Sequence, residues 1–541
     1  MEATDIREPP AAPPDAGGDG PATKVPRRPP WWLIGAALFL FGAGALVVST
    51  AFESDPSAER LGPNAPVNAG ADDQLDISAH NSPTLVRNPA NHSELAVANR
   101  IDTPRYSCAL HLSTDAGATW EQRPLPLPAG EEPKCYAPDV AFGRDGTLYL
   151  SFVTLKGFGN VPNAVWMSTS TDGGRTLSTP RKLLGKLSFQ TRLVADPAKA
   201  GRLYLTWLDA ADVALYKFTS TGNPIRTIRS DDGGKSWSEP AQVSDAGRMR
   251  VVAPTPQVGP RGELYVLYLD LGEDRLDYEG LHEGRGGKPY EGNFSLVLAR
   301  SRDGGENFEE SVVDSGVRAT ERFITFIPPA PSLAVDQKSG RLYAAFEDAR
   351  FGDPDAMVWS RGSSDSSWSG PVRVNDTRKE DGRAQYRPRL SVAPNGRLDV
   401  VYYDRRSDPE DRFNEVSLQS SFDDGKSFIP RVALSDRSFD SRIGFGSERG
   451  MPDIGSRLAS LSTEDRAFAV WTDTRAGTDA SGKQDLMRAV AVFSDPAGLE
   501  SWQKNALRYG GLALMLVGLV LLGREGAAVL ARRRGVAPSS E

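Results

Sequence analysis

Apolar positions along this chain fall into two patterns. Near each end lies a continuous apolar run, Trp31 to Phe52 and Tyr509 to Gly523, and between them short stretches of alternating apolar and polar residues recur from about residue 80 to about residue 495. A helix rising about 1.5 Å per residue needs about 20 apolar residues to cross a bilayer, so the first run predicts a transmembrane helix over 31–52. The second run is shorter. Arg524 can extend toward the interface and the helix can continue to Leu530, which predicts a second span over 506–530. Alternation with a period of two predicts strands for the region between.

Charges flanking the runs set a topology. Lys24, Arg27 and Arg28 precede the first run, Glu53 and Asp55 follow it, and Arg532 to Arg534 follow the second. Basic flanks stay cytoplasmic, so both termini are expected inside and the residues between the spans outside. Residues 1–30 then form a disordered cytoplasmic tail, 53–72 a linker, 73–498 an extracytoplasmic domain, and 531–541 a basic cytoplasmic tail. The setting expected is a plasma membrane, the inner one of a bacterium. Two competing readings are cleavage of a signal peptide near Ser49-Thr50-Ala51 and removal of the C-terminal tail after export. In an oxidising compartment Cys108 and Cys135, the only two cysteines, are candidates for a disulfide.

One motif recurs within the strand-rich region. Ser113-Thr-Asp115-Ala-Gly117-Ala-Thr119-Trp120 is followed by copies around Asp172 (ending Leu177), Asp232 (ending Trp237), Asp303 (ending Phe308) and Asp423 (ending Phe428). The copies start at 113, 170, 230, 301 and 421, and the last interval, 120, is twice 60. An eroded copy is therefore expected near 361, where Ser367-Trp368 survives. Such a turn satisfies itself, because Asp accepts backbone N–H bonds, Gly takes a left-handed conformation, and the closing aromatic fills the layer beneath. The five Asp residues are expected to be structural.

A second unit precedes each copy: an inner strand, a turn, then a strand ending in an aromatic residue, as in Leu203-Tyr-Leu-Thr-Trp207 or Leu398-Asp-Val-Val-Tyr402. Seven such units are counted, beginning near 81, 136, 191, 253, 329, 386 and 450. Four strands per unit predict an all-β propeller, seven-bladed with six as the alternative, flanked by two transmembrane helices. The last unit lacks an outer strand, and Gln74 to Ala79 is the expected donor that closes the ring.

The motif Ser-x-Asp-x-Gly-x-Thr/Ser-Trp/Phe resembles the Asp-box, or BNR repeat, of sialidases and related propellers, over roughly residues 80 to 495. That resemblance implies a propeller and, for sialidases, three arginines that clamp a sugar carboxylate, a Tyr nucleophile with a Glu partner, and an Asp acid. Guanidinium groups suit such a clamp because they pair bidentately with carboxylate. The position just before each inner strand reads Thr84, Asp139, Arg192, Thr255, Ser332, Arg389 and Arg457, a polar ring expected at the mouth of the central channel. Arg192, Arg389 and Arg457 are the candidate ligand clamp and Asp139 the candidate acid.

The chain departs from that family. The Arg-containing motif opening many microbial sialidases has no counterpart in the first unit, where only Arg87 stands nearby. Tyr402 and Tyr403 are the candidate nucleophiles, with Tyr386 behind them and Glu321, Glu347 or Glu415 as partners. A further recurrence, aromatic-x-Asp at Asp209, Asp270, Asp348, Asp404 and Asp473, is followed two places on by Arg350, Arg406 and Arg475 in three units. Five occurrences in seven units point to framework. The long loop Leu271 to Phe294, with Glu273, Asp274, Asp277, Tyr278, His282 and Tyr290, is a candidate lid or a solvated excursion.

Composition narrows the function. With 63 Lys and Arg against 71 Asp and Glu, and basic blocks only at the ends, a nucleic-acid partner is not expected. Four histidines and two cysteines leave no metal site in view, and no cofactor is expected. Sequons occur at Asn91, Asn293 and Asn375. The expected function is recognition of an extracytoplasmic anionic ligand, a glycan or carboxylated sugar. The alternatives are an exo-α-sialidase-like glycoside hydrolase and a scaffold that holds protein partners on the propeller rim at the bilayer.

Overall fold

The structure, a computed structural model, describes residues 30–51, 56–73, 75–212, 222–274, 290–320, 330–444, 454–494 and 501–535. They form two separate units, one of strands (Pro56–Asp495) and one holding the two terminal helices.

Local chemistry builds the strand unit. In all five turn copies the Ser hydroxyl donates to the Asp carboxylate at 2.6–2.8 Å. The same hydroxyl oxygen accepts the N–H of the glycine four residues on at 2.8–2.9 Å. Asp Oδ1 accepts the N–H four residues on at 2.9–3.0 Å. The glycines at 117, 174, 234, 305 and 425 have φ of 80–95°, which a Cβ would strain. Trp120, Leu177, Trp237, Phe308 and Phe428 tuck beneath the turns against the hydrophobic layers. The eroded copy also closes a hairpin, with Gly362 N donating to Asp365 at 2.8 Å.

These hairpins assemble into a seven-bladed propeller of antiparallel sheets. Inner strands are His80–Arg87, Cys135–Phe142, Ser188–Ala195, Val251–Val258, Ser332–Val335, Gln385–Val392 and Ala459–Ser462 for blades one to seven. Apolar faces of neighbouring blades bury one another: Tyr204 of blade three, for instance, joins Leu264 and Leu298 of blade four in one cluster.

The closing strand differs from the sequence expectation. Blade seven is completed by Ser57–Arg60, paired antiparallel with Asp485–Ser494, and Ala65–Pro66 adds a short second contact. Of the expected donor, Gln74 lies outside the described residues and Ala79 makes a single parallel bridge to Gln484. Ser-Ala-Glu-Arg has no apolar face, so its sequence carries no strand signal. Its pairing combines backbone bonds along an outer edge with small side-chain contacts, Ala58 packing on the core and Arg60 donating to Leu434 O at 3.4 Å. Lys483 fixes the intervening segment, donating to the carbonyls of Gly70, Ala71 and Asp73 at 2.8–2.9 Å.

Cys108 and Cys135 are joined in a disulfide between blades one and two, with Cα atoms 5.6 Å apart. Of the sequons, Asn375 is buried and bonded to Asp355, Thr377 and Gln385, so its amide is inaccessible to a glycan.

In the helical unit, α1 spans Trp31–Ala51 and α2 spans Ser501–Arg533, both long and apolar enough to cross a membrane. They pack antiparallel. A Cβ on Gly42 would lie 2.5 Å from the Gly511 carbonyl oxygen, and one on Gly518 would lie 2.6 Å from that of Gly35. Glycine permits this close backbone approach, as at helix contacts in lipid.

Candidate functional site

The mouth of the channel is shaped by a repeated backbone device. Ser82, Ala137, Gln190, Ala253 and Arg387 have left-handed φ of 46–60°, and each stands two places before a ring residue: Thr84, Asp139, Arg192, Thr255 and Arg389. Gly455 (φ 87°) stands likewise before Arg457. Strand register breaks at each of the first five positions. Bulges of this kind bend a strand and re-aim its side chains. Non-glycine residues held left-handed cost on the order of 1 kcal/mol each, and such strain clusters at functional sites.

Four ring residues tie blades together. Thr84 Oγ1 donates to Asp139 Oδ1 at 2.8 Å, and Asp139 Oδ2 accepts Leu193 N–H at 2.9 Å. Thr255 Oγ1 donates to Pro331 O at 2.8 Å, and Ser332 Oγ accepts Leu390 N–H at 2.9 Å. Arg457 also spans blades, donating to Pro83 O (3.3 Å) and Pro138 O (2.9 Å), with Asp139 3.9 Å away.

Arg192 and Arg389 are different. Among the described residues neither guanidinium makes a hydrogen bond or ion pair, and the Nε of Arg389 is enclosed without a partner there. Burial and the neighbouring Arg192 push Arg389 down to about 10, opposed by Asp139. Burial, with Arg192 and Arg389 nearby, holds Arg457 well below the ordinary arginine value. Arg192 is lowered by burial and partly restored by Asp139. Three guanidinium groups thus share one carboxylate, and that carboxylate is already engaged by a hydroxyl and an amide.

A pocket enclosing about 540 Å³, part of it open solvent, lies here; Ser82, Ala137, Gln190, Ala253, Arg192 and Arg457 are in its lining. Two further lining residues carry no motif in the sequence: Tyr136 and Arg100. Arg100 pairs with Asp102 at 2.6 Å and donates to Tyr136 Oη at 2.9 Å. Tyr136 sits inside the bulge of blade two, and Ala137 gives no sequence sign that its backbone is left-handed, so nothing in the chain flags either residue.

The candidate nucleophiles lie elsewhere. Tyr402 and Tyr403 are wholly buried; Tyr402 Oη donates to Gln419 at 2.6 Å, and Tyr403 Oη donates to Thr472 O at 3.2 Å. Burial raises both phenols above their ordinary value. Tyr386 is also buried and donates to Asn414 at 2.9 Å. Glu347 accepts Arg387 N–H at 2.7 Å and the Thr320 hydroxyl at 3.0 Å, burial raising its carboxyl, while Glu415 pairs with Arg431. Glu321 and positions 275–289 of the long loop lie outside the described residues. No cluster of three His, Cys, Asp or Glu side chains able to hold a metal occurs among the described residues.

The aromatic-x-Asp positions form clamps. Arg350 bridges Asp348 (2.6 Å) and Asp314 (2.7 Å), Arg406 bridges Asp404 and Asp376 (both 2.6 Å), and Arg475 bridges Asp473 (2.7 Å) and Asp436 (2.6 Å). In each clamp the second carboxylate comes from the outer part of the preceding blade. Asp209 and Asp270 pair instead with Arg226 (2.8 Å) and Arg248 (2.7 Å).

No family model matches the chain, and no curated protein matches it in sequence. Solved structures share the propeller architecture distantly. A protein of unknown function from Dyadobacter fermentans is 13% identical, covering 81% of this chain and 100% of its own, with a TM-score of 0.45. The NanB sialidase of Streptococcus pneumoniae is 11% identical over 64% of this chain and 68% of its own, TM-score 0.40. The phage phi92 endosialidase is 9% identical over 83% and 70%, TM-score 0.43. At this distance the likeness carries no argument about activity.

Proposed function

We propose that the propeller recognises an anionic ligand, a glycan or carboxylated sugar, at the mouth formed by Arg192, Arg389 and Arg457. One observation carries this reading: the Arg192 guanidinium lines the pocket with no hydrogen bond or ion pair to a described residue, and the neighbouring Arg389 keeps an enclosed Nε without a partner among them. A buried charge is costly unless paired, so the fold is more stable when an incoming anion supplies the missing charge. Hydrolysis in the manner of a sialidase has less support, because Asp139 is engaged between blades and Tyr402 and Tyr403 are enclosed away from the pocket lining.

We further propose that α1 and α2 anchor the chain in a membrane with both ends on the cytoplasmic side and the propeller outside. The antiparallel packing of Gly35 against Gly518 and Gly42 against Gly511 supports this, since it puts the Trp31 end of α1 at the same end of the pair as the basic Arg532–Arg533 terminus of α2. A glycan array probed with the detergent-solubilised full chain tests the first proposal. Retention of carboxylated glycans that disappears in Arg389→Ala supports it, and retention unaffected by that variant overturns it. Protease accessibility of the two tails in sealed vesicles tests the second.

A further inference from the structure

We propose that Tyr136 is the specificity-determining wall of the arginine mouth, held in place by two cross-links between blades one and two. The inference rests on the anionic-ligand reading and adds what the ligand must carry besides its charge. Tyr136 is half-buried and lines the same pocket as Arg192 and Arg457. The rest of that lining mixes apolar residues such as Ala137, Pro138 and Pro254 with the small polar Ser82, Thr191 and Ser456, none of which offers a broad face. A bare anion needs only the guanidinium groups. A larger body attached to that anion meets Tyr136, the only aromatic ring in the lining among the described residues, which offers an apolar face and a polar tip together.

The wall is rigidly mounted. Arg100, from the second strand of blade one, donates to its phenol oxygen at 2.9 Å and is itself fixed on Asp102 at 2.6 and 2.8 Å. Asp102 in turn accepts from Asn81 at 2.8 Å. Immediately before Tyr136, Cys135 is tied to Cys108 of blade one, and its N–H donates to Tyr106 O at 3.3 Å. The Tyr106 ring meets Tyr136 edge-on at 5.9 Å. A charged hydrogen bond and a covalent bridge therefore cross the same blade boundary on either side of one pocket residue. Arg100 also lines the pocket, but unlike Arg192 its charge is answered by Asp102, and its hydrogen bond to the phenol makes it a positioning residue for Tyr136.

The test uses the full chain in detergent, with N-acetylneuraminic acid and acetate as probes and apparent Kd taken from the dose dependence of the thermal shift. Tyr136→Ala is expected to weaken the sugar acid at least tenfold and to change acetate by less than twofold. Tyr136→Phe, which keeps the ring, should keep most of the sugar affinity. The double variant Cys108→Ser/Cys135→Ser should show the same selective loss, as should the reduced wild-type protein. If Tyr136→Ala weakens both probes equally, or neither, the wall is wrong. Loss of both probes in Arg389→Ala alongside an unaffected Tyr136→Ala leaves the arginine reading standing and removes this one. Wild-type protein that shows no saturable shift with either probe overturns both.

Discussion

Arginines occupy two regions of this propeller under opposite conditions. At the blade ends, Arg350, Arg406 and Arg475 each lie between two aspartates, one from their own blade and one from the preceding blade. At the channel mouth, Arg192 and Arg389 make no such pair among the described residues and feel only the shared Asp139. The residue type and its burial are similar; the supply of carboxylate differs. A guanidinium with two carboxylates is a cross-link between blades, and removing it strands buried charge of the opposite sign. Guanidinium groups that share one carboxylate, itself already engaged, are less well compensated than one held between two.

The comparison breaks first at the clamps. Arg406→Ala leaves Asp404, which is wholly buried, with only the more distant Arg431 at 3.7 Å, and should cost about 3 kcal/mol or more in urea unfolding. A loss under 1 kcal/mol would mean the clamps do not hold the blades. Arg389→Ala should do the reverse: stability unchanged or raised, and the affinity for a carboxylated sugar lower by about 2 kcal/mol, measured by paired unfolding and binding titrations. If that variant unfolds as easily as Arg406→Ala, the two regions are not different in kind.

Histidines sharpen the contrast, because they can discard a charge that arginine must keep. His80 and His111 are buried on either side of Asn99, and burial drives them down to about 4 and about 3. Their folded values lie below the unfolded value near 6.5, so the unfolded chain takes up protons first as pH falls. Stability should be full above pH 6.5 and decline through pH 4; His111→Gln should flatten that slope in thermal melts taken across the range.

The smallest effect belongs to the turns. Asp115 is held down to about 2, chiefly by the hydroxyl and N–H of Thr119. Its contribution is complete above about pH 4 and disappears as pH falls through about 2. Asp303→Ala should cost about 1 kcal/mol, as removal of a capping side chain does, read as a lowered melting temperature at neutral pH.

How much was legible follows from what repeats. The turns could be read because every residue in them has a local job, and the ring because it sits at one offset from seven similar strands. What failed to show was non-local. Ser57–Arg60 has no run of large apolar side chains, so its sequence does not advertise a strand. The left-handed bulges are built on Ser, Ala, Gln and Arg where glycine would have announced them, and they bring Tyr136 and Arg100 into the mouth unannounced. The register of the ring could be counted, but which of its arginines lacked partners depended on neighbours from other blades.

Ring closure also has a consequence in time. Ser57 and Ser494, 437 positions apart, meet hydroxyl to hydroxyl at 2.8 Å. A ribosome adding about 5–20 residues per second needs on the order of half a minute or more to deliver the later one. Through that interval the earliest strand has no mate and the growing ring ends in an open edge, a template for mispairing. The protein is therefore most vulnerable while it is being made, and a chaperone that shelters the open edge would protect it more than any stabilisation of the finished ring.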